Sequence, residues 1–165
     1  MSAVFRPILL VAVGILGVLA LAQVQAQEES AAHRAVAIVV HDGTSIDDVS
    51  LTQLRRIFLA EQQFWPDRSR ITLLVRAPGA YEREFVLERI YQMSENQFRK
   101  YWIAKMFRSE VPSGPRIVFS NNMAVELVMA IPGSITFMNA SEISDTVKVV
   151  RVEGLLPDDD GYPLK

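Results

Sequence analysis

Ser50-Leu-Thr-Gln-Leu-Arg-Arg-Ile-Phe-Leu-Ala-Glu-Gln-Gln-Phe-Trp-Pro-Asp67 reads as a capped helix running into a loop anchored by one tryptophan. Ser50 and Gln53 have capping-box spacing, which gives the first free amides of a helix over 50–60 side-chain partners. Leu51, Leu54, Ile57 and Phe58 fall on one stripe at helical spacing, leaving Gln53, Arg55 and Arg56 for the other side. That helix packs on a core, and the segments around it say which kind.

Upstream, Val36-Ala37-Ile38-Val39-Val40 is a continuous apolar run closed by His41-Asp42-Gly43, as expected of a strand buried on both faces. Downstream, 71–75 reads as a second strand. Pro78-Gly79 then breaks the chain before a helix over 80–91 with Phe85, Val86 and Ile90 turned inward. Ser94 and Gln97 repeat the capping-box spacing and open a helix with the stripe Phe98, Tyr101, Trp102 and Met106. Pro112-Ser113-Gly114-Pro115 is a rigid linker, and 117–119 a short strand. Asn121 or Asn122 caps a fourth helix bearing Ala124, Leu127, Val128 and Ile131. Pro132-Gly133 stops it before a strand over 134–138, and 147–152 is the last strand. Strands alternating with helices predict an α/β fold, a mostly parallel central sheet with helices on both faces. In such sheets ligands gather where the carboxyl ends of strands meet helix N-termini.

The N-terminus has one positive residue, Arg6, an apolar run over 7–22, and the small-residue pattern Val24-Gln25-Ala26. That is the layout of a secretory signal peptide cleaved after Ala26, with the periplasm as the expected address. The run is shorter than the roughly 20 residues of a spanning helix; an uncleaved N-terminal anchor is the alternative, and the expected contact with membrane is through this segment alone. The expected organisation is a signal peptide over 1–26, a polar lead-in over 27–35, one domain over 36–153 and an acidic tail over 154–165, read as loosely attached. Removing the first 26 of 165 residues leaves 139 and moves the net charge from −2 to −3, since Arg6 is the only charge lost. A mildly acidic chain without a Lys/Arg block argues against nucleic acid, which requires many phosphates to be neutralised. Cysteine is absent, so the chain holds no disulfide and no lipidated cysteine.

The sharpest chemical candidate is Arg76-Ala77-Pro78-Gly79-Ala80-Tyr81. A strand delivers Arg76 at its carboxyl end, and free amides at the following helix start form a ready anion site. Each helix-dipole interaction contributes about 0.3–1 kcal/mol, so the guanidinium would supply most of the strength. The same residues leave open that Arg76 pairs with Glu82, Glu84 or the tail. His33 and His41 lack further ligands for a metal, and Asp158-Asp159-Asp160 lacks the alternation of a calcium loop. No nucleophile elbow or phosphate loop is present, which points to a non-catalytic protein without a cofactor.

The segment over 50–67 resembles the "L-x-x-I-F-x-G-K…W-x-D-G" stretch of phosphate-transporter substrate-binding proteins, within the periplasmic-binding-protein superfamily. Ala60, Glu61 and Arg68 depart from it, standing where the family has Gly, Lys or Arg, and Gly. Arg83-Glu84-Phe85, Ser94, Tyr101-Trp102 and Phe107 resemble the run "R-x-x-F…S…Y-W…F-x-G", with Ser109 for its glycine. Pro132-Gly133-Ser134-Ile135-Thr136-Phe137 resembles "P-G-x-I-G-Y". The likeness spans about 36–152 and implies a single lobe of the periplasmic-binding-protein fold that binds a small oxyanion such as phosphate. It assigns Arg76, Gly79, Ala80 and Tyr81 to the anion, but Pro78 and Ala80 replace the family's serine and threonine donors. Each lost bond to a charged group is worth roughly 1.5–3 kcal/mol, so weak binding is expected. A lone lobe leaves its ligand half solvated. Self-association or an envelope protein partner would close the site, and a ligand-free accessory protein of an envelope complex is the alternative reading.

Overall fold

The computed structural model describes residues 35–165; the expected signal peptide and all of the lead-in except Ala35 lie outside them. Six strands form one sheet: β1 (Val36–Val40), β2 (Asp48–Val49), β3 (Thr72–Arg76), β4 (Arg116–Val118), β5 (Ser134–Asn139) and β6 (Lys148–Val152), in the order β2-β6-β1-β5-β3-β4. Pairings β2–β6, β3–β5 and β3–β4 are parallel, whereas β1 runs antiparallel to both β5 and β6. Five strands therefore point one way and only β1 is reversed. Composition could not reveal that reversal, because a strand buried on both faces looks the same in either direction.

The helices are α1 (Leu51–Phe58), α2 (Tyr81–Val86), α3 (Glu95–Phe107) and α4 (Asn121–Ala130). Alternation along β1 sorts them onto two faces. Val36, Ile38 and Val40 meet α1, α2 and α3 in the larger core, whereas Ala37 and Val39 meet Ala124 and Val128 of α4 in the smaller one. The second helix departs from a uniform coil: after Val86 it widens into a π-turn over Leu87–Tyr91 and ends at Gln92 in the left-handed region. Val86 and Ile90 are buried as expected, and Phe85 is half-buried.

Both expected caps form, to different extents. Ser94 and Gln97 make the full reciprocal box, while Ser50 accepts from the Gln53 amide at 3.1 Å. At α4 it is Ser120, not either asparagine, that caps, accepting from the Met123 amide. The stripe of α1 is narrower than its spacing suggests, with Leu51 exposed; Met106 is likewise exposed on α3.

Helices α1 and α3 end alike. Ala60 donates to Ile57 O and Glu61 to Arg56 O; Ser109 donates to Met106 O and Glu110 to Lys105 O. These are Schellman motifs, with Ala60 (φ 51°) and Ser109 (φ 57°) at the left-handed position that glycine usually fills. Arg68 (φ 68°) closes the Trp65–Arg68 turn in the same conformation.

The tail is not loose. Tyr162 and Leu164 are buried, Leu164 O accepts from the Val36 amide at 2.8 Å, and Tyr162 Oη donates to Val36 O at 3.0 Å. β6 pairs with β1 only over Ile38–Val40, so the tail supplies partners where β6 has run out. Its acidic run is folded into a turn, Asp159 Oδ2 accepting from the Leu156 amide. Among the described residues no helix is long and apolar enough to cross a membrane.

Candidate functional site at the carboxyl edge of the sheet

Because β3, β4 and β5 point the same way, their carboxyl ends share one edge of the sheet. Arg76, the last residue of β3, lies opposite Val118 of β4, and the Ala77 amide donates to Val118 O at 2.8 Å. The β3–α2 and β4–α4 junctions thus lie side by side, with Ser120 at the second. Gly79 takes φ 87°, and a Cβ there would meet nothing within 4 Å, so this glycine serves the turn and not a close approach. Arg76, Gly79, Ala80 and Tyr81 all fall at the first junction.

The Arg76 side chain is 12% exposed. Its Nε lies 3.8 Å from Glu82 Oε2, and Nε and Nη1 are both buried without a hydrogen-bond partner. At that separation the two groups attract as charges but share no hydrogen bond. Of the alternatives open in the sequence, the carboxylate beside Arg76 is Glu82, itself 9% exposed in its side chain. Glu82 and Glu84 occupy the first turn of α2, where carboxylates complement the helix dipole. Ala80 stands at the N-cap and makes no side-chain bond. Gly79 also lines a groove of about 520 Å³ with Glu84, Glu88 and Glu95, a wall that repels anions. Tyr81 is exposed, its ring 6.0 Å from that of Phe85.

Arg83 is the arginine that composition and spacing did not single out as structural. It is buried, Nε and Nη2 donate to both carboxylate oxygens of Glu95 at 2.9 and 2.8 Å, and Nη1 donates to Arg76 O at 2.7 Å. Its guanidinium sits 4.7 Å from the Phe98 ring centre. The fork binds the β3 end, α2 and the first turn of α3 into one body, so Arg76 projects from a fixed backbone. The Arg83 bonds hold the Glu95 carboxyl below its usual range. Only the likeness of Arg83-Glu84-Phe85 to the family's arginine-to-phenylalanine run, one residue shorter here, pointed to Arg83; its partner lies twelve residues away and carries no local signal. Beside Ser120, Asn121 Nδ2 donates to the Glu142 carboxylate, and its Oδ1 is buried without a partner.

The remaining candidates have structural partners. His41 Nδ1 accepts from the Gly43 amide, Ser50 caps α1, and Trp65 Nε1 donates to Gly133 O. His33 lies outside the described residues.

No family model matches the chain, and no curated protein matches it. Solved structures do. An ABC-type phosphate transport receptor from Vibrio cholerae is similar with a TM-score of 0.61 and 18% identity, over 74% of this chain and 48% of that one. A Clostridium perfringens protein solved with bound phosphate gives 0.59 and 19%, over 73% and 46%. A phosphate binding protein from Stenotrophomonas maltophilia gives 0.57 and 18%, over 75% and 40%. These neighbours are described as a transport receptor, a substrate-binding protein and a binding protein. The chain spans about half the length of the structures it matches or less, and its fold is that of a single lobe of the substrate-binding proteins of phosphate ABC transporters.

Proposed function

We propose that this protein is a non-catalytic periplasmic binding module that takes a small oxyanion, such as phosphate, weakly at Arg76. Supporting this is one observation: a mostly buried guanidinium at the carboxyl edge with two N–H-bearing nitrogens that lack acceptors. A buried donor left unpaired costs about 1–3 kcal/mol, and an oxyanion is the group that relieves both at once. Gly79, Ala80 and Tyr81 form the turn over which it would sit. Binding is weak because Glu82 already neutralises the guanidinium and Pro78 and Ala80 offer no hydroxyl. The C. perfringens neighbour holds phosphate, and the N-terminal apolar run fits export.

Titration calorimetry at fixed pH with phosphate, sulfate and acetate tests the reading. Heat from an inorganic oxyanion, lost in Arg76→Ala and strengthened in Glu82→Gln, is the expected outcome, with circular dichroism confirming that both variants fold. No heat in either the wild type or Glu82→Gln overturns it.

The second reading is an accessory protein of an envelope complex that keeps the lobe without a ligand. It is favoured by Glu82 beside Arg76, by Glu84 and Glu88 in the groove that Gly79 lines, and by Phe119, 74% exposed immediately after β4. Its signature is an envelope partner that co-purifies equally with the wild type and Arg76→Ala.

A further inference from the structure

The opposite edge of the sheet carries a second concavity that the carboxyl-edge reading does not use. The loop after α1 and the loop between α3 and β4 arch over the amino ends of β3 and β4 and enclose about 250 Å³. β3 is five residues long, so the two edges stand about 13 Å apart. The cavity's inner wall is Leu73, Trp102 and Val111, all buried, with Pro115 from the rigid Pro-Ser-Gly-Pro linker closing one side. Arg70 and Arg116 also line it; both are exposed, and neither side chain is in an ion pair or hydrogen bond among the described residues. The carboxamides of Gln62 and Gln63 complete the lining, each donating through Nε2 to a backbone carbonyl, of Phe64 and Glu110.

Arg70 and Arg116 bring two carboxylate-free cations to the lining of one cavity that also presents Leu73, Trp102 and Val111. Arg76 and Arg83 at the carboxyl edge each have a carboxylate within 4.0 Å, whereas Arg70 and Arg116, like the exposed Arg56 and Arg68, have none among the described residues. Trp102, 5% exposed, lines the cavity with an indole whose N–H, unlike that of Trp65, is held by no acceptor, so its resonance can report on what enters. Arg70 and Arg116 would meet the charge of inorganic phosphate, but Leu73, Trp102 and Val111 would stay unused beside it. A ligand with one anionic end and an apolar body satisfies both halves.

We propose that this cavity binds a small organic carboxylate, its charge on Arg70 and Arg116 and its apolar body against Trp102 and Leu73. At about 20–30 Å³ per non-hydrogen atom the space holds a compound of roughly eight to twelve such atoms. The site is independent of Arg76 and stands or falls apart from it.

Benzoate and hexanoate are the probes, with benzyl alcohol and hexanol as neutral counterparts, followed by the two indole N–H resonances of the ¹⁵N-labelled full chain. Trp65→Phe assigns the pair. Saturable movement of the Trp102 signal with the carboxylates and not the alcohols, weakened at least about tenfold in Arg70→Gln/Arg116→Gln, is the expected result. Both positions are exposed, so the double variant keeps the fold. Absence of a saturable shift up to about 10 mM, an equal response to the alcohols, or unchanged affinity in the double variant overturns the proposal. A Trp102 response to benzoate that is lost in Arg76→Ala would place the binding at the carboxyl edge and overturn it as well.

Discussion

Trp65 Nε1 donates to Gly133 O at 2.9 Å, a buried bond joining the loop after α1 to the turn between α4 and β5 across 68 residues of chain. The same carbonyl accepts from the Thr72 amide at 3.1 Å, so one glycine positions both the tryptophan loop and the start of β3. Gly133 has φ 74°, and a Cβ there would lie 2.4 Å from Arg70 O, a backbone atom that cannot swing aside. Gly133→Ala is therefore expected to cost about 3 kcal/mol or more, combining left-handed strain with the clash. The thermal midpoint would fall by about 10 °C or more. Trp65→Phe should cost only about 1 kcal/mol, since Gly133 O keeps the Thr72 amide.

Ala60, Arg68 and Ser109, at positions where the family resemblance implies glycine, all take the left-handed backbone. An L-residue pays about 1–2 kcal/mol in that conformation, against about 0.4–1 kcal/mol for the extra freedom glycine brings to the unfolded chain. Arg68→Gly and Ser109→Gly should each stabilise by roughly 0.5–1 kcal/mol, additively, in urea unfolding. Ala60→Gly should gain less, because Ala60 is buried and its methyl packs. Lys100→Gly, on the exposed face of α3, should move the other way by about 1 kcal/mol.

These glycine-to-other exchanges show where the sequence was legible. Caps at Ser50 and Ser94 were readable because donor and acceptor lie three residues apart. The apolar run of β1 declared its burial, and so did the middle of the α1 and α3 stripes, but not their outer members Leu51 and Met106. What escaped was non-local. The two-residue strand Asp48–Val49 exists only because Val152 and Arg151 lie beside it. Phe119 extends an apolar triplet that looks like strand, yet it is the residue left outside when β4 ends at Val118. At the candidate site, Arg76 and its turn were predictable from the strand-to-helix junction. The choice among Glu82, Glu84 and the tail as its carboxylate was not, because it depends on how α2 leaves the sheet.

The Arg83–Glu95 fork makes a pH prediction. The Arg83 hydrogen bonds keep the Glu95 carboxyl below its ordinary value of 4.5, so the native state favours the ionised form. A depressed acid contributes stability that is fully present above the unfolded value and is lost as pH falls through the folded one. Denaturant unfolding from pH 7 to pH 3 should show the wild type losing its advantage over Glu95→Gln progressively below about pH 4.5. At pH 7 the variant should be less stable by about 1–2 kcal/mol, discounted for the exposure of Glu95. A constant difference across the range would show that the carboxylate's charge contributes nothing there.

The C-terminal segment should behave as a seventh element of the sheet layer and not as an appendage. Leu164 is 1% exposed in the larger core, and removing its side chain beyond Cβ leaves a cavity there. Leu164→Ala should cost about 2–4 kcal/mol. Tyr162→Phe removes only the bond to Val36 O and should cost about 1 kcal/mol. Deleting residues 161–165 does both and also frees the Val36 amide, whose acceptor is Leu164 O. Hydrogen exchange then separates this account from general destabilisation. In the truncated chain the Val36 amide should lose protection far more than that of Val39, which keeps its place between β5 and β6. Equal loss at both would mean that the tail stabilises the sheet as a whole and not the end of β1 that it covers.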